Sequence, residues 1–355
     1  MKWEENVRRV VPYVPGEQPD KPNMIKLNTN ECPYPPAPGV QAALAAMQSA
    51  DMRLYPDPGA EVLIQGLADY YGVKKEQVFV GVGSDDVLSM AYLTFFNGDK
   101  PILFPDITYS FYDVWADLYR IPYETCALDG DFHIRPEDYR HPNGGVIFPN
   151  PNAPTGVYEP LALVEEILQA NRDVVVIIDE AYVDFAEQGS AMALVKEYDN
   201  VLIVQTFSKS RSLAGMRIGH AIGSRDLIAA MNDVRFSFNS YPMTRLSTEI
   251  GVAVIEDEEY FQRTCQKVIE TREWTKKELR RLGFTFQDSM TNFIFATHRE
   301  VPAQEIFDRL REKHIFVRHF SAPRIENYLR ISIGTEEEMK RFVKETEEII
   351  VNSNR

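Results

Sequence analysis

Cysteine is scarce in this chain. Cys32, Cys126 and Cys265 are the only three in 355 residues, and their irregular spacing supports neither a disulfide framework nor a zinc site. That fits a reducing compartment. No apolar run approaches membrane-spanning length, and the opening Met1-Lys2-Trp3-Glu4-Glu5 lacks the apolar core of a signal peptide. Fixed-period repeats and low-complexity segments are also missing. Basic residues are in deficit: 38 Lys and Arg against 53 Asp and Glu leave a formal net charge of −15. Such a balance argues against broad binding to nucleic acid or to an anionic membrane, but not against a local cationic pocket. These absences predict a cytoplasmic protein without a bound metal.

What is present describes an ordinary globular protein, with 44% hydrophobic and 26% charged residues. The length exceeds what one small core needs, so two domains are expected. Prolines crowd the first 40 residues, which predicts an extended arm. From Gln77 onward, strands alternate with helices, the pattern of a sheet with helical crossovers. The expected division is 1–45 for the arm and part of a small domain, 46–260 for a large domain, and 261–355 for the rest of the small domain. Asp226 to Met231 reads as the last large-domain helix, Phe236 to Pro242 as a loop near the cleft, and Glu336 to Val351 as an amphipathic closing helix.

The chemistry centres on one stretch. The apolar strand Val201-Leu202-Ile203-Val204 runs into Gln205-Thr206-Phe207-Ser208-Lys209-Ser210-Arg211, and Arg217 follows. A lysine at the carboxyl end of such a strand sits where α/β sheets open their crevice. Partial desolvation there would make its amine a nucleophile for a carbonyl, although most Ser-Lys pairs in loops are solvated surface. Thirty residues before Lys209, the buried run Val174–Ile178 ends in Asp179. A carboxylate at that point suits a helix cap, a metal ligand, or a partner for a pyridinium nitrogen. The last reading is favoured, with Lys209 holding the same cofactor as a Schiff base. Gly83-Ser84-Asp85-Asp86 opens a helix whose free N–H groups would seat a phosphate. Gly81 and Gly83 begin a GxG, but Asp86 stands where a dinucleotide fingerprint needs its third glycine.

Ser208-Lys209, Ala214-Gly215-Met216-Arg217-Ile218-Gly219 and Asp179-Glu180-Ala181-Tyr182 together resemble the fold-type I aminotransferases that use pyridoxal 5′-phosphate, and among them the histidinol-phosphate aminotransferases. The likeness runs from Tyr13 to Gly334. It implies an α/β large domain around a mostly parallel seven-stranded sheet, plus a smaller α+β domain. It also implies amino transfer between L-histidinol phosphate and 2-oxoglutarate by a homodimer, with Lys209, Asp179 and Tyr182 as catalytic residues. Ser84, Asp85, Ser208 and Arg217 would hold the cofactor phosphate, Thr206 would stand beside them, and Tyr109 would stack on the ring. Tyr55 would reach across to the partner's cofactor. Tyr13 would cover the substrate, Asn30 would lie near the cofactor's edge, and Arg318 and Arg330 would form a fork for the substrate's phosphate. One position departs from the family: Ala153 replaces the asparagine that usually precedes Pro-Thr-Gly. Asn152, one residue earlier, or Tyr182 is expected to supply the missing donor. An aromatic aminotransferase and a threonine-phosphate decarboxylase share this scaffold. A cofactor-sensing transcription regulator would need a basic DNA-binding module for which an acidic chain of 355 residues has no room.

Overall fold

The computed structural model describes residues 2–353. In chain order its strands are β1 (Ile25–Lys26), β2 (Val78–Gly81), β3 (Ile102–Pro105), β4 (Tyr123–Cys126), β5 (Gly145–Pro149), β6 (Val176–Asp179), β7 (Val201–Thr206), β8 (Gly219–Gly223), β9 (Phe284–Phe286), β10 (Phe293–His298), β11 (Ile315–Phe316), β12 (Arg318–His319) and β13 (Leu329–Ser332). Seven of them form the large sheet in the order β2-β8-β7-β6-β5-β3-β4. The strands from β4 to β7 pair in parallel, and β8 runs antiparallel to both its neighbours. This is the mostly parallel seven-stranded sheet that the family resemblance implies.

Helices cover both faces, so the central strands read as continuous apolar runs. Side chains alternate across a strand, and two cores result. Val146, Phe148, Val176, Ile178, Val201 and Ile203 enter one, while Ile147, Ile177, Leu202 and Val204 enter the other. A four-stranded antiparallel sheet, β12-β13-β10-β9, carries the third core together with the long helices Glu258–Arg281 and Glu336–Ser353. The N-terminal arm joins this part of the molecule through β1, which pairs in parallel with β11. At Val317 the chain leaves that pairing, and Arg318 then faces Arg330 across the β12–β13 ladder.

One helix departs from expectation. It runs over Arg225–Phe238 rather than stopping near Met231, so the expected loop at 236–242 begins only after Phe238. The Ser224 hydroxyl caps its start, and Ile228, Met231 and Arg235 follow on one buried face. A buried arginine extending an apolar face is not visible to hydropathy. Among the described residues no helix is long and apolar enough to cross a membrane, and no group of three or more His, Cys, Asp and Glu could hold a metal ion.

Candidate active site

Sheet register explains why the candidate residues meet. Pro149 pairs with Asp179 at the carboxyl ends of β5 and β6. On the other side, Thr206 at the end of β7 pairs with Gly219, which pairs with Gly81 of β2. The loops leaving β2, β5, β6 and β7 and the turn entering β8 therefore open on one crevice, as expected at strand carboxyl ends. A cavity of roughly 550 Å³, counting its opening to solvent, occupies it. Its walls include Ser84, Asp85, Tyr109, Asp179, Tyr182, Thr206, Ser208, Lys209 and Arg217, along with Pro149, Ala153 and Ala181.

One end is built for an anion. The helix Ser84–Phe95 begins there, and the amides of its first turn have no partner within the helix. Arg217 Nη2 reaches Asp85 Oδ2 at 3.0 Å, and its Nη1 donates to Ser208 Oγ at 3.4 Å. A left-handed backbone at one position and close backbone approach at another favour glycine here. Gly83 has φ +87°, and a Cβ on it would stand 2.5 Å from Arg217 Nη2. A Cβ on Gly219 would stand 2.3 Å from the backbone of Gly83 and Ser84. Arg217 itself is left-handed at φ 52°, a conformation uncommon outside glycine that recurs at functional sites.

The opposite end carries a buried carboxylate. Asp179 accepts from Tyr112 Oη at 2.9 Å and from the Ala181 amide at 3.2 Å. Burial pushes its carboxyl up to about 6, against the opposing pull of those two donors. Between the ends, Tyr109 donates to Asp85 at 2.8 Å. Burial and then the Asp85 charge raise its phenol well above the ordinary value. Lys209 Nζ donates to the Thr29 carbonyl at 3.1 Å and lies 5.8 Å from the centre of the Tyr182 ring. The Tyr182 hydroxyl accepts from Asn30 Nδ2 at 2.9 Å.

A second cluster borders this cavity. Arg330 packs over Phe293, whose ring meets Tyr182 edge-on at 5.1 Å. Its Nη2 donates to the Asn28 carbonyl at 3.1 Å, while its buried Nε has no hydrogen-bond partner among the described residues. Burial lowers the affinity of this guanidinium for its proton; the nearby Tyr182 opposes that shift and Arg318 adds to it. Tyr13, from the arm, stacks on Phe111 at 4.2 Å, and Phe111 continues to Trp115 at 5.0 Å.

Two of the residues expected at the cofactor are not on the cavity wall. Asn152 is buried with its amide committed to the turn, donating to the Ile107 carbonyl at 3.0 Å and to Thr155 Oγ1 at 2.9 Å. The wall at that point is Ala153. Tyr55 is 79% exposed, against Tyr241 on the molecular surface. Sequence reasoning overlooked Tyr112 and the Thr29 carbonyl. Tyr112 left only a faint signal, as one of the aromatics in the Tyr109-Ser110-Phe111-Tyr112 run at a strand–helix junction; the helix itself begins at Tyr112, so Tyr109 stands outside it. A main-chain oxygen leaves no sequence signal.

The profile of the family described as aminotransferase class I and II matches residues 22–345. The chain is 53% identical over 352 residues to histidinol-phosphate aminotransferase 1 of Hydrogenovibrio crunogenus, covering 99% of each chain. It is also 53% identical to histidinol-phosphate aminotransferase of Pseudomonas putida, covering 94% of this chain and 96% of that one. The chain belongs to the class I and II aminotransferases, among the histidinol-phosphate aminotransferases. The crystal structure of the Sinorhizobium meliloti histidinol-phosphate aminotransferase in complex with pyridoxal-5′-phosphate has the same fold, with a TM-score of 0.84 at 24% identity over 93% of this chain and 91% of that one. The cavity of this aminotransferase fits such a group. It offers anion donors at one end, a buried carboxylate at the other, and Tyr109, Ala153 and Ala181 as walls between them.

Proposed function

We infer that this aminotransferase moves an amino group between L-histidinol phosphate and 2-oxoglutarate, giving imidazole acetol phosphate and L-glutamate, in histidine biosynthesis. The observation that carries the reading is a buried carboxylate and a lysine flanking one cavity, with cationic and backbone donors at its far end. Bound there, pyridoxal 5′-phosphate supplies an aldehyde carbon that accepts the amino group and a protonated ring that accepts electrons released at the substrate carbon. The first-turn amides of Ser84 and Asp85, with Ser208, Thr206 and Arg217, would hold its phosphate, and Tyr109 would pack on its ring. Asp179 would keep a proton on the ring nitrogen, an opposite-charge effect. Tyr182, oriented by Asn30, would donate to the phenolic oxygen.

Lys209 would hold the aldehyde carbon until substrate arrives, then carry a proton to and from the reacting carbon as general base and acid. Arg318 and Arg330 would bind the substrate's phosphate in a fork, with Arg330 also taking the α-carboxylate of glutamate and Tyr13 closing the cleft. Homodimerisation is part of the proposal. Met52, Leu54, Tyr55, Phe236, Phe238 and Tyr241 are exposed apolar groups on one chain, and Tyr55 would complete the partner's site. Three free cysteines support a cytoplasmic location. The small unit would comprise 1–45 and 261–355.

Borohydride reduction of the loaded enzyme should fix the cofactor to the peptide containing Lys209. Product analysis should then show imidazole acetol phosphate and glutamate. Label on another lysine, or release of CO₂ in place of amino transfer, would overturn the assignment.

A further inference from the structure

We propose that Tyr112 is a positioning residue for the cofactor's ring nitrogen, its hydroxyl holding the Asp179 carboxylate ionised and in a single orientation. The inference rests on the assignment of Asp179 made above and extends it to a side chain outside the cavity wall. Tyr112 stands at the start of the helix Tyr112–Tyr119 and is fully buried. Its hydroxyl donates to Asp179 Oδ2 at 2.9 Å, while the Ala181 amide takes Oδ1 at 3.2 Å. With one donor on each oxygen, the carboxylate cannot turn without breaking a bond. A donor that bonds the charged form favours it.

The surroundings make that donor necessary. Around Asp179, Asp85 from the helix Ser84–Phe95 adds negative charge. Tyr92 of that helix and Tyr109 of the turn before the helix Tyr112–Tyr119 are electrostatic neighbours. Lys209 lines the same cavity, but its ammonium is held on the Thr29 carbonyl. Glu180 faces away, into bonds with Ser190, Ala191 and Gln205. Burial already brings the Asp179 carboxyl to about 6, within reach of working pH, so removing a donor would carry it higher. Below the raised midpoint the pocket would hold a proton that it must lose before pairing with a pyridinium.

The test is to titrate the cofactor-free full chain with pyridoxamine 5′-phosphate, which forms no covalent link to Lys209, for wild type and Tyr112→Phe at pH 9 and pH 6. The ligand's own ionisations, and those of Glu180, are common to both proteins and cancel in the ratio of dissociation constants. A hydrogen bond to a charged group moves a carboxyl's midpoint by roughly one to two in pH. The ratio should therefore stay within about twofold at pH 9 and rise to roughly 5- to 50-fold at pH 6. In an Asp179→Asn background, Tyr112→Phe should give the same ratio at both pH values. A wild-type ratio independent of pH would overturn the proposal, since mere loss of packing has no proton to count. A wild type that fails to bind the ligand would overturn the cofactor reading as well.

Discussion

Arg318 and Arg330 face each other across β12 and β13, and no ion pair to either is present among the described residues. Two like charges at that spacing repel, and burial already disfavours the charged form of Arg330. A phosphate monoester, carrying a charge of about −1.5 to −2 near neutral pH by comparison with phosphorylated side chains, would relieve both costs at once. Removing one charge-assisted hydrogen bond should cost about 1.5–3 kcal/mol, roughly 10- to 150-fold in kcat/KM. Arg318→Ala is therefore expected to lower kcat/KM for histidinol phosphate by that factor. It should leave histidinol and phenylalanine within about threefold, because a bond to phosphate has no counterpart in those substrates. The same change removes a like charge beside Arg330, so thermal stability without ligand should hold or rise slightly. Arg330→Ala should impair phosphate and α-carboxylate substrates alike. The assay is steady-state kinetics with histidinol phosphate, histidinol, phenylalanine and glutamate on three proteins, with a melting curve for each. An equal fall for phosphorylated and unphosphorylated substrates in Arg318→Ala would refute the fork. So would a wild type that uses histidinol as well as histidinol phosphate, and the enzyme would then be an aromatic aminotransferase.

Tyr182→Phe should shift the pH at which the bound cofactor changes colour, whereas Asn152→Ala should leave that pH unchanged and lower stability by about 1–3 kcal/mol, since the Ile107 carbonyl loses its donor; absorbance titration and melting of both variants check this. Burial pushes the Glu180 carboxyl from the ordinary 4.5 to about 7, so between those values the folded chain binds a proton that the unfolded chain has released. Stability of the cofactor-free protein should then fall as pH rises from about 5 to 7, by up to about 1.4 kcal/mol per pH unit from this group. Glu180→Gln should flatten that slope in denaturant titrations, and an unchanged slope would exclude Glu180 as its source. Sedimentation should find a dimer at micromolar concentration, and Tyr55→Phe should lose cofactor faster on dialysis; a fully active monomer would remove the proposed role of Tyr55.

The sequence by itself determined the scaffold and the positions of its chemistry. Continuous apolar runs such as Val176–Ile178 and Val201–Val204, set in an alternation of strands and helices, read as strands covered on both faces. Whatever follows such strands is placed at the mouth of the crevice, so order put Asp179 and Lys209 there, and the family resemblance added Ser208. Tertiary structure decided which of their neighbours take part. Asn152 and Ala153 are adjacent in sequence, yet the turn consumes the amide of one and presents the methyl of the other. Tyr112 bonds Asp179 across 67 residues, and Asn30 bonds Tyr182 across 152. The pairing of Arg318 with Arg330 depends on a strand that changes partners at Val317. Local propensity and periodicity describe one segment at a time. A hydrogen bond between distant segments depends on where packing places two backbones, and no short stretch of sequence encodes that.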